Sequence, residues 1–150
     1  MPLTSKGPST RSHGNARIEA FDLSRDELLK LARDAARNAH CPYSHFRVGA
    51  AVIADGKVYT GANVENSSYG LTLCAERTAL ASAITSGARR ITHLAVSCID
   101  AKSDTGTEQL MPCGACRQWL SDLAPDAMVF IDGLDHDLSL SELLPYPFRI

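Results

Sequence analysis

The chain has 150 residues, a length that suits one domain around a single core. Hydrophobic residues make up 45% and charged residues 21%, a balance that excludes disorder along the whole chain. The formal charge of -2 and the lack of a Lys/Arg stripe weigh against a protein that binds nucleic acid by neutralising phosphates, and no apolar run reaches the ~20 residues of a membrane span.

In chain order, MPLTSKGPSTRSHGNA is polar and lacks the apolar centre of a secretory signal. Residues 1–16 are expected to be a disordered tail, residues 17–150 one domain, and the protein cytoplasmic. DLSRDELLKLARDAARNAH predicts a helix. Ser24 with Glu27 three residues on is a capping-box pair, Leu28, Leu29, Leu31, Ala32, Ala35 and Ala36 form one apolar stripe, and Pro42 stops the helix. A β-hairpin follows, with arms Phe46 to Ile53 and Lys57 to Ala62 and Asp55-Gly56 as its turn. ENSSYG is a loop, Cys74 to Thr85 a helix stopped by Ser86-Gly87, and Ile91 to Asp100 a buried strand. AKSDTGTEQLMP is a polar loop, Gly114 to Leu123 a helix, Ala127 to Ile131 a strand, and SLSELLPYPF a short helix ended by Pro145. Helices alternating with strands imply an α/β fold, a sheet covered by helices. The opening hairpin makes that sheet mixed.

Two of the helix starts carry chemistry. LTLCAER brings Cys74 and, two residues on, Glu76; MPCGACRQ brings Cys113 and Cys116. The chain has five cysteines, an odd number, and in a reducing compartment clustered thiols read as metal or redox groups rather than disulfides. A helix N-terminus favours the thiolate, the form that binds metal. Cys113 and Cys116 are one turn apart and can face one ion, and Cys74 would add a third sulfur. Three thiolates suit Zn²⁺ and leave a fourth position for water, as in a catalytic site. Glu76 would then move protons beside that water. Three thiolates on Zn²⁺ leave a net charge of -1, which Arg77 and Arg117 would offset by hydrogen bonds to sulfur.

A lone C-x-x-C says little. C-A-E followed some 40 residues later by P-C-x-x-C is the signature of zinc deaminases. Together with CPYSHFRVGAA, NVENSSYGLTLCAER and LLPYPF, it makes the chain resemble the small, homotetrameric cytidine deaminases from Cys41 to Phe148. The resemblance implies a three-layer α/β/α sandwich with a five-stranded mixed sheet and one Zn²⁺ per subunit on Cys74, Cys113 and Cys116. It implies Glu76 as the proton shuttle, protonating a ring nitrogen and then delivering a proton to the departing amine. It also implies that Asn63 and Glu65 hold the ribose hydroxyls, that the Ala75 backbone N–H binds the pyrimidine carbonyl, and that Phe46 packs on the base. Ser67, Tyr69 and Phe148 would complete a neighbouring subunit's pocket in a homotetramer. The implied reaction is hydrolysis of cytidine and 2'-deoxycytidine to uridine, 2'-deoxyuridine and ammonia, in pyrimidine salvage, with a nucleoside as partner and neither nucleic acid nor membrane.

The remaining candidates have plainer readings. Cys41 and Cys98 are expected to be buried structural thiols, Trp119 a core residue, and the five scattered histidines surface or core groups rather than ligands. Three other functions stay open on sequence: a deaminase of a related aminopyrimidine nucleoside such as blasticidin S, a polynucleotide deaminase, and a non-catalytic zinc module. The polynucleotide reading lacks a basic, aromatic-lined channel, and the module reading lacks a fourth ligand.

Overall fold

The structure is a computed structural model and describes residues 23–150. The expected tail, residues 1–16, and the first residues of the expected domain lie outside the described part.

Helix α1 runs Arg25–Ala36 and opens on the anticipated capping box. Ser24 accepts from the Glu27 backbone N–H at 3.3 Å and Glu27 accepts from the Ser24 N–H at 2.8 Å. The helix ends earlier than the proline rule requires. Residues 37–39 tighten into turns, with Asn38 and Ala39 donating to carbonyls three residues back, and His40 then bonds to the Asn63 carbonyl. The hairpin forms as β1 (Val48–Ala54) and β2 (Lys57–Ala62). Asp55 and Gly56 both have positive φ, 48° and 72°, the type I′ geometry that matches strand twist. Helix α2 (Ala75–Thr85), β3 (Ile91–Cys98), α3 (Thr107–Leu110), α4 (Gly114–Leu123), β4 (Met128–Ile131) and α5 (Leu140–Leu143) complete the order. The single turn α3 and a 3-10 turn at Tyr69–Leu71 interrupt segments expected to be loop.

The sheet order is β2-β1-β3-β4. β1 pairs antiparallel with β2 and β3, and β3 pairs parallel with β4, so the sheet is mixed as expected. It has four strands among the described residues, not five. After β4 the chain returns only far enough for one antiparallel bridge, Leu138 to Val129. Two carboxylates of the six residues between are drawn to α1: Asp132 is held by Arg33 and Asp137 by Arg25.

Alternation along β1 sends side chains to both faces. Ala51 and Ile53 pack with Leu28, Leu29 and Ala32 of α1. Ala50, Val52 and Ala54 pack against Ala75, Ala79 and Leu80 of α2, with Leu120 of α4 and Leu143 of α5 in the same cluster. Helices therefore lie on both sides of the sheet. Each fully buried leucine contributes about 1.5–3 kcal/mol to holding these layers together. Gly61 lets α2 sit close on β2: a Cβ there would stand 2.4 Å from the Ala79 nitrogen and 2.6 Å from the Ala75 carbonyl oxygen. Trp119, expected in the core, is 40% exposed, whereas the neighbouring Leu120 is fully buried in the core cluster.

Candidate active site

The two cysteine segments meet. Cys74 is the N-cap of α2 and Cys113 the N-cap of α4, and neither side chain caps its helix. The local folding that presents Cys74 is a bridge: Leu73 exchanges both backbone hydrogen bonds with Val64 at 2.9 Å. Thr78 then fixes the cap by donating its hydroxyl to the Cys74 carbonyl at 3.1 Å. Cys113 follows Pro112, and Cys116 lies one turn into α4, fully buried. The Cys74 and Cys113 sulfurs are 3.7 Å apart, those of Cys113 and Cys116 3.5 Å apart, and all three lie within 4.8 Å of one another.

These separations fit one metal. Sulfurs about 2.3 Å from a tetrahedral Zn²⁺ stand roughly 3.8 Å from each other. Cys74, Cys113 and Cys116 form the whole donor cluster among the described residues; as thiolates on a tetrahedral ion they would leave one position for a non-protein ligand. Cys41 and Cys98 lie outside the cluster and are partly rather than fully buried. Burial pushes the Cys98 thiol up to about 12, with the charges of Glu76 and Asp132 adding to it.

The electrostatics favour charge on Cys74. The neighbouring Cys116 thiol holds it down to about 5, Arg77 and Cys113 assist, and burial opposes them. Cys116 moves the other way, raised by the same partnership with Cys74 and by burial. Arg77 reaches the sulfur as anticipated: its Nη2 donates to Cys74 Sγ at 3.7 Å and to the Thr72 carbonyl at 3.0 Å. Arg117 does not. Its Nε donates to the Pro112 carbonyl and its Nη1 to the Leu143 carbonyl, both at 2.8 Å. Through these two bonds it braces the segment that presents Cys113.

Glu76, second in α2, is 4% exposed. Burial pushes its carboxyl up to about 7, with the Cys74 charge adding to the rise. A carboxyl that exchanges its proton near neutral pH suits acid–base work. Ala75 is fully buried at the first helical position, where a backbone N–H has no partner within its own helix.

Asn63 is 8% exposed. Its Oδ1 accepts from the Val48 N–H at 2.8 Å and its Nδ2 donates to the Phe46 carbonyl at 2.9 Å. One lone pair and one N–H remain for a further partner. Glu65 is half-buried, and its Oε2 accepts from the backbone N–H groups of Tyr43 at 2.9 Å and Ser44 at 3.2 Å. The Ser44 side chain and these N–H groups hold the carboxyl below its ordinary range, against a smaller opposing effect of burial. Phe46, half-buried, stands two residues before Val48 and continues the parity of the β1 residues that face α2. Ser67, Tyr69 and Phe148 are exposed, the last two at 72% and 71%. Tyr69 meets Tyr43 edge-on, with ring centroids 5.7 Å apart. Phe148 is tied to α4 by a reciprocal pair, its N–H to Gln118 Oε1 at 3.2 Å and Gln118 Nε2 to its carbonyl at 3.0 Å. The supports Thr72, Thr78 and the Tyr43-Ser44 backbone were not foreseen. Only Thr78, four residues after an N-cap cysteine, carries a local signal.

Comparison with known proteins points one way. The family model described as the cytidine and deoxycytidylate deaminase zinc-binding region matches residues 23–132. A cytidine deaminase from Halalkalibacterium halodurans is 46% identical over 131 residues, covering 84% of this chain and 95% of that one. A cytidine deaminase from Mycobacterium tuberculosis is 43% identical over 133 residues, covering 86% and 92%. The crystal structure of cytidine deaminase from Burkholderia pseudomallei superposes with a TM-score of 0.75 at 41% identity, covering 84% of this chain and all of the other.

Proposed function

The chain belongs to the zinc-binding cytidine and deoxycytidylate deaminase family, and from that premise we propose that it hydrolyses the exocyclic amine of cytidine, releasing uridine and ammonia. The observation that carries this is the convergence of Cys74, Cys113 and Cys116 beside the buried carboxyl of Glu76.

Cys74, Cys113 and Cys116 would hold the zinc, which when bound lowers the pKa of a water in the open position from ~15.7 towards ~7. The chain's own residues do the rest. Glu76 takes one proton from the attacking water and donates it to the pyrimidine ring nitrogen next to the reacting carbon as the water's oxygen bonds to that carbon. It then takes the second proton from that oxygen and delivers it to the amine, whose bond to carbon breaks as the carbonyl forms and ammonia leaves. The balance is one water consumed and one ammonia released, with Glu76 restored. The Ala75 N–H donates to the pyrimidine carbonyl, and Phe46 packs on the base face. Glu65, kept ionised, and the spare groups of Asn63 take the ribose hydroxyls. Buried polar partners of this kind reject a base without its sugar, because they would be left unpaired. The same contacts suit 2'-deoxycytidine, which keeps the other hydroxyls.

Ser67, Tyr69 and Phe148 act in a neighbouring subunit of a homotetramer in this reading. It is supported by their exposure and by the anchoring of Phe148 through Gln118. Sedimentation that gives only the monomer mass would remove it. No helix among the described residues is long and apolar enough to cross a membrane. The activity is tested by loss of the cytidine absorbance band on incubation, with blasticidin S and single-stranded RNA as alternative substrates. Turnover of either in place of cytidine would overturn the assignment.

A further inference from the structure

We propose that Asp100 is a positioning residue for the base pocket, acting through Arg47 to hold Phe46 in place. This rests on the reading that Phe46 packs on the base.

Phe46 sits where the chain enters β1, and the backbone around it is held from two sides. On one side Asn63 accepts from the Val48 N–H and donates to the Phe46 carbonyl. On the other, Asp100 grips Arg47. Its Oδ2 accepts from the Arg47 backbone N–H at 2.8 Å and from Nε at 2.9 Å, and its Oδ1 accepts from Nη2 at 2.6 Å. The preceding residue, Ile99, donates its N–H to the Arg47 carbonyl at 3.1 Å. Ser44 Oγ accepts from the Phe46 N–H at 3.1 Å. Every backbone polar group from the Phe46 nitrogen to the Val48 nitrogen is thus engaged, and Asp100 is the one carboxylate in that set.

The geometry exceeds what an ordinary surface ion pair needs. The side chains of Arg47 and Asp100 are 45% and 25% exposed, so water screens their attraction and the pair adds little to stability. What it adds is direction. A planar guanidinium meeting a carboxylate at two points admits one orientation, and the third bond, to the backbone, transfers that orientation to the peptide that follows Phe46. Asp100 also stands just past β3, at the head of the segment that leads to Pro112 and Cys113. One carboxylate therefore ties the entrance of β1, which carries the ring, to the start of the segment that delivers a metal ligand.

Misplacing a substrate-packing group by a fraction of an ångström weakens binding before it alters proton transfer at Glu76. The test is a double-mutant cycle between Asp100→Asn and Phe46→Ala. It measures kcat and KM for cytidine, zinc per chain and melting temperature. Asp100→Asn preserves size and removes the charged acceptor. We expect a KM roughly three- to tenfold higher, kcat within about twofold, unchanged zinc, and no further rise in KM when Phe46 is already alanine. Arg47→Lys, which keeps the charge but not the fork, should fall between the wild type and Asp100→Asn; it also serves if Asp100→Asn does not fold. An unchanged KM overturns the proposal, as does an equal rise with and without Phe46, which would make Asp100 independent of the ring. If Phe46→Ala alone leaves KM unchanged, the assignment of Phe46 to the base fails, and the clamp's role falls with it.

Discussion

Cys74 and Cys113 are 39 positions apart in the chain, yet their sulfurs stand 3.7 Å from each other at the N-caps of two different helices. Neither spends its sulfur on its own helix. Three sulfurs so close carry linked protonation, with charge favoured on Cys74 and disfavoured on Cys116, and a cation removes that conflict. Because a ligand that binds only the folded chain stabilises it, about 2.7 kcal/mol at a hundredfold excess over Kd, stripping zinc with a chelator should lower the melting temperature by several degrees. Activity should vanish and return on adding zinc. Calorimetry with and without chelator, beside metal analysis, checks this; a melting curve indifferent to chelator would count against the site.

In the proposed mechanism Glu76 moves protons, and the three-cysteine cluster does not include it. Glu76→Gln should keep one zinc per chain and lose at least ~10²–10⁴ in kcat. Metal content and turnover measured on the same preparation decide it. Loss of zinc as well would show that the carboxyl supports the cysteine cluster.

Gly61 sets the depth at which α2 rests on the sheet. Gly61→Ala forces a methyl into the backbone at Ala75 and Ala79. Neither is the end of a flexible side chain, so α2 must move. The expected cost is about 1–3 kcal/mol or more, read by urea denaturation. The displaced helix carries Cys74 and Glu76, so activity should fall beyond what the unfolded fraction explains.

Arg117 distinguishes bracing from charge tuning. Arg117→Ala leaves the Pro112 and Leu143 carbonyls without their donor, at a cost of about 1–3 kcal/mol. The pH dependence of kcat should stay where it is. A pH–rate profile displaced with stability intact would restore Arg117 to the sulfurs' electrostatics.

Asp132 gives the fold part of its acid sensitivity. Burial raises its carboxyl, but hydrogen bonds from Arg33 and Ser97 outweigh that, and the net shift is downward. A folded-state pKa below the unfolded one contributes stability that is fully present above the unfolded value, near ~3.9, and disappears as pH falls through the folded value. Asp132→Asn should therefore melt below the wild type at pH 6, with the gap closing below about pH 4. Melting temperatures across that range check the sign; a gap that widens in acid would reverse it.

Much of the fold was legible because its signals are local. Ser24 and Glu27 lie within one turn, Asp55-Gly56 is a turn by its own backbone preference, and the alternation of helices and strands follows from side-chain period. The metal cluster was legible too, since C-A-E and P-C-x-x-C place each ligand at a helix start. The missing fifth strand was not. Residues 132–138 stop at one bridge to β4, and their Asp132 and Asp137 pair instead with Arg33 and Arg25 of α1, about a hundred residues earlier, contacts no local signal announces. Trp119 misled for a related reason, because an apolar residue on a helix reads as core until the direction of the sheet is known.

The sequence by itself singled out the candidates: three cysteines and one acid by residue type and spacing, and the loop groups Asn63 and Glu65 by their resemblance to the cytidine deaminases. Only the tertiary structure decided which groups hold these in place. It sent Arg77 to the Cys74 sulfur and Arg117 to two carbonyls, and it set Asp100 against Arg47 across 53 positions. The physical reason is that a hydrogen bond is fixed by where a donor and an acceptor finally stand, and for partners this far apart only the packed layers bring them within reach.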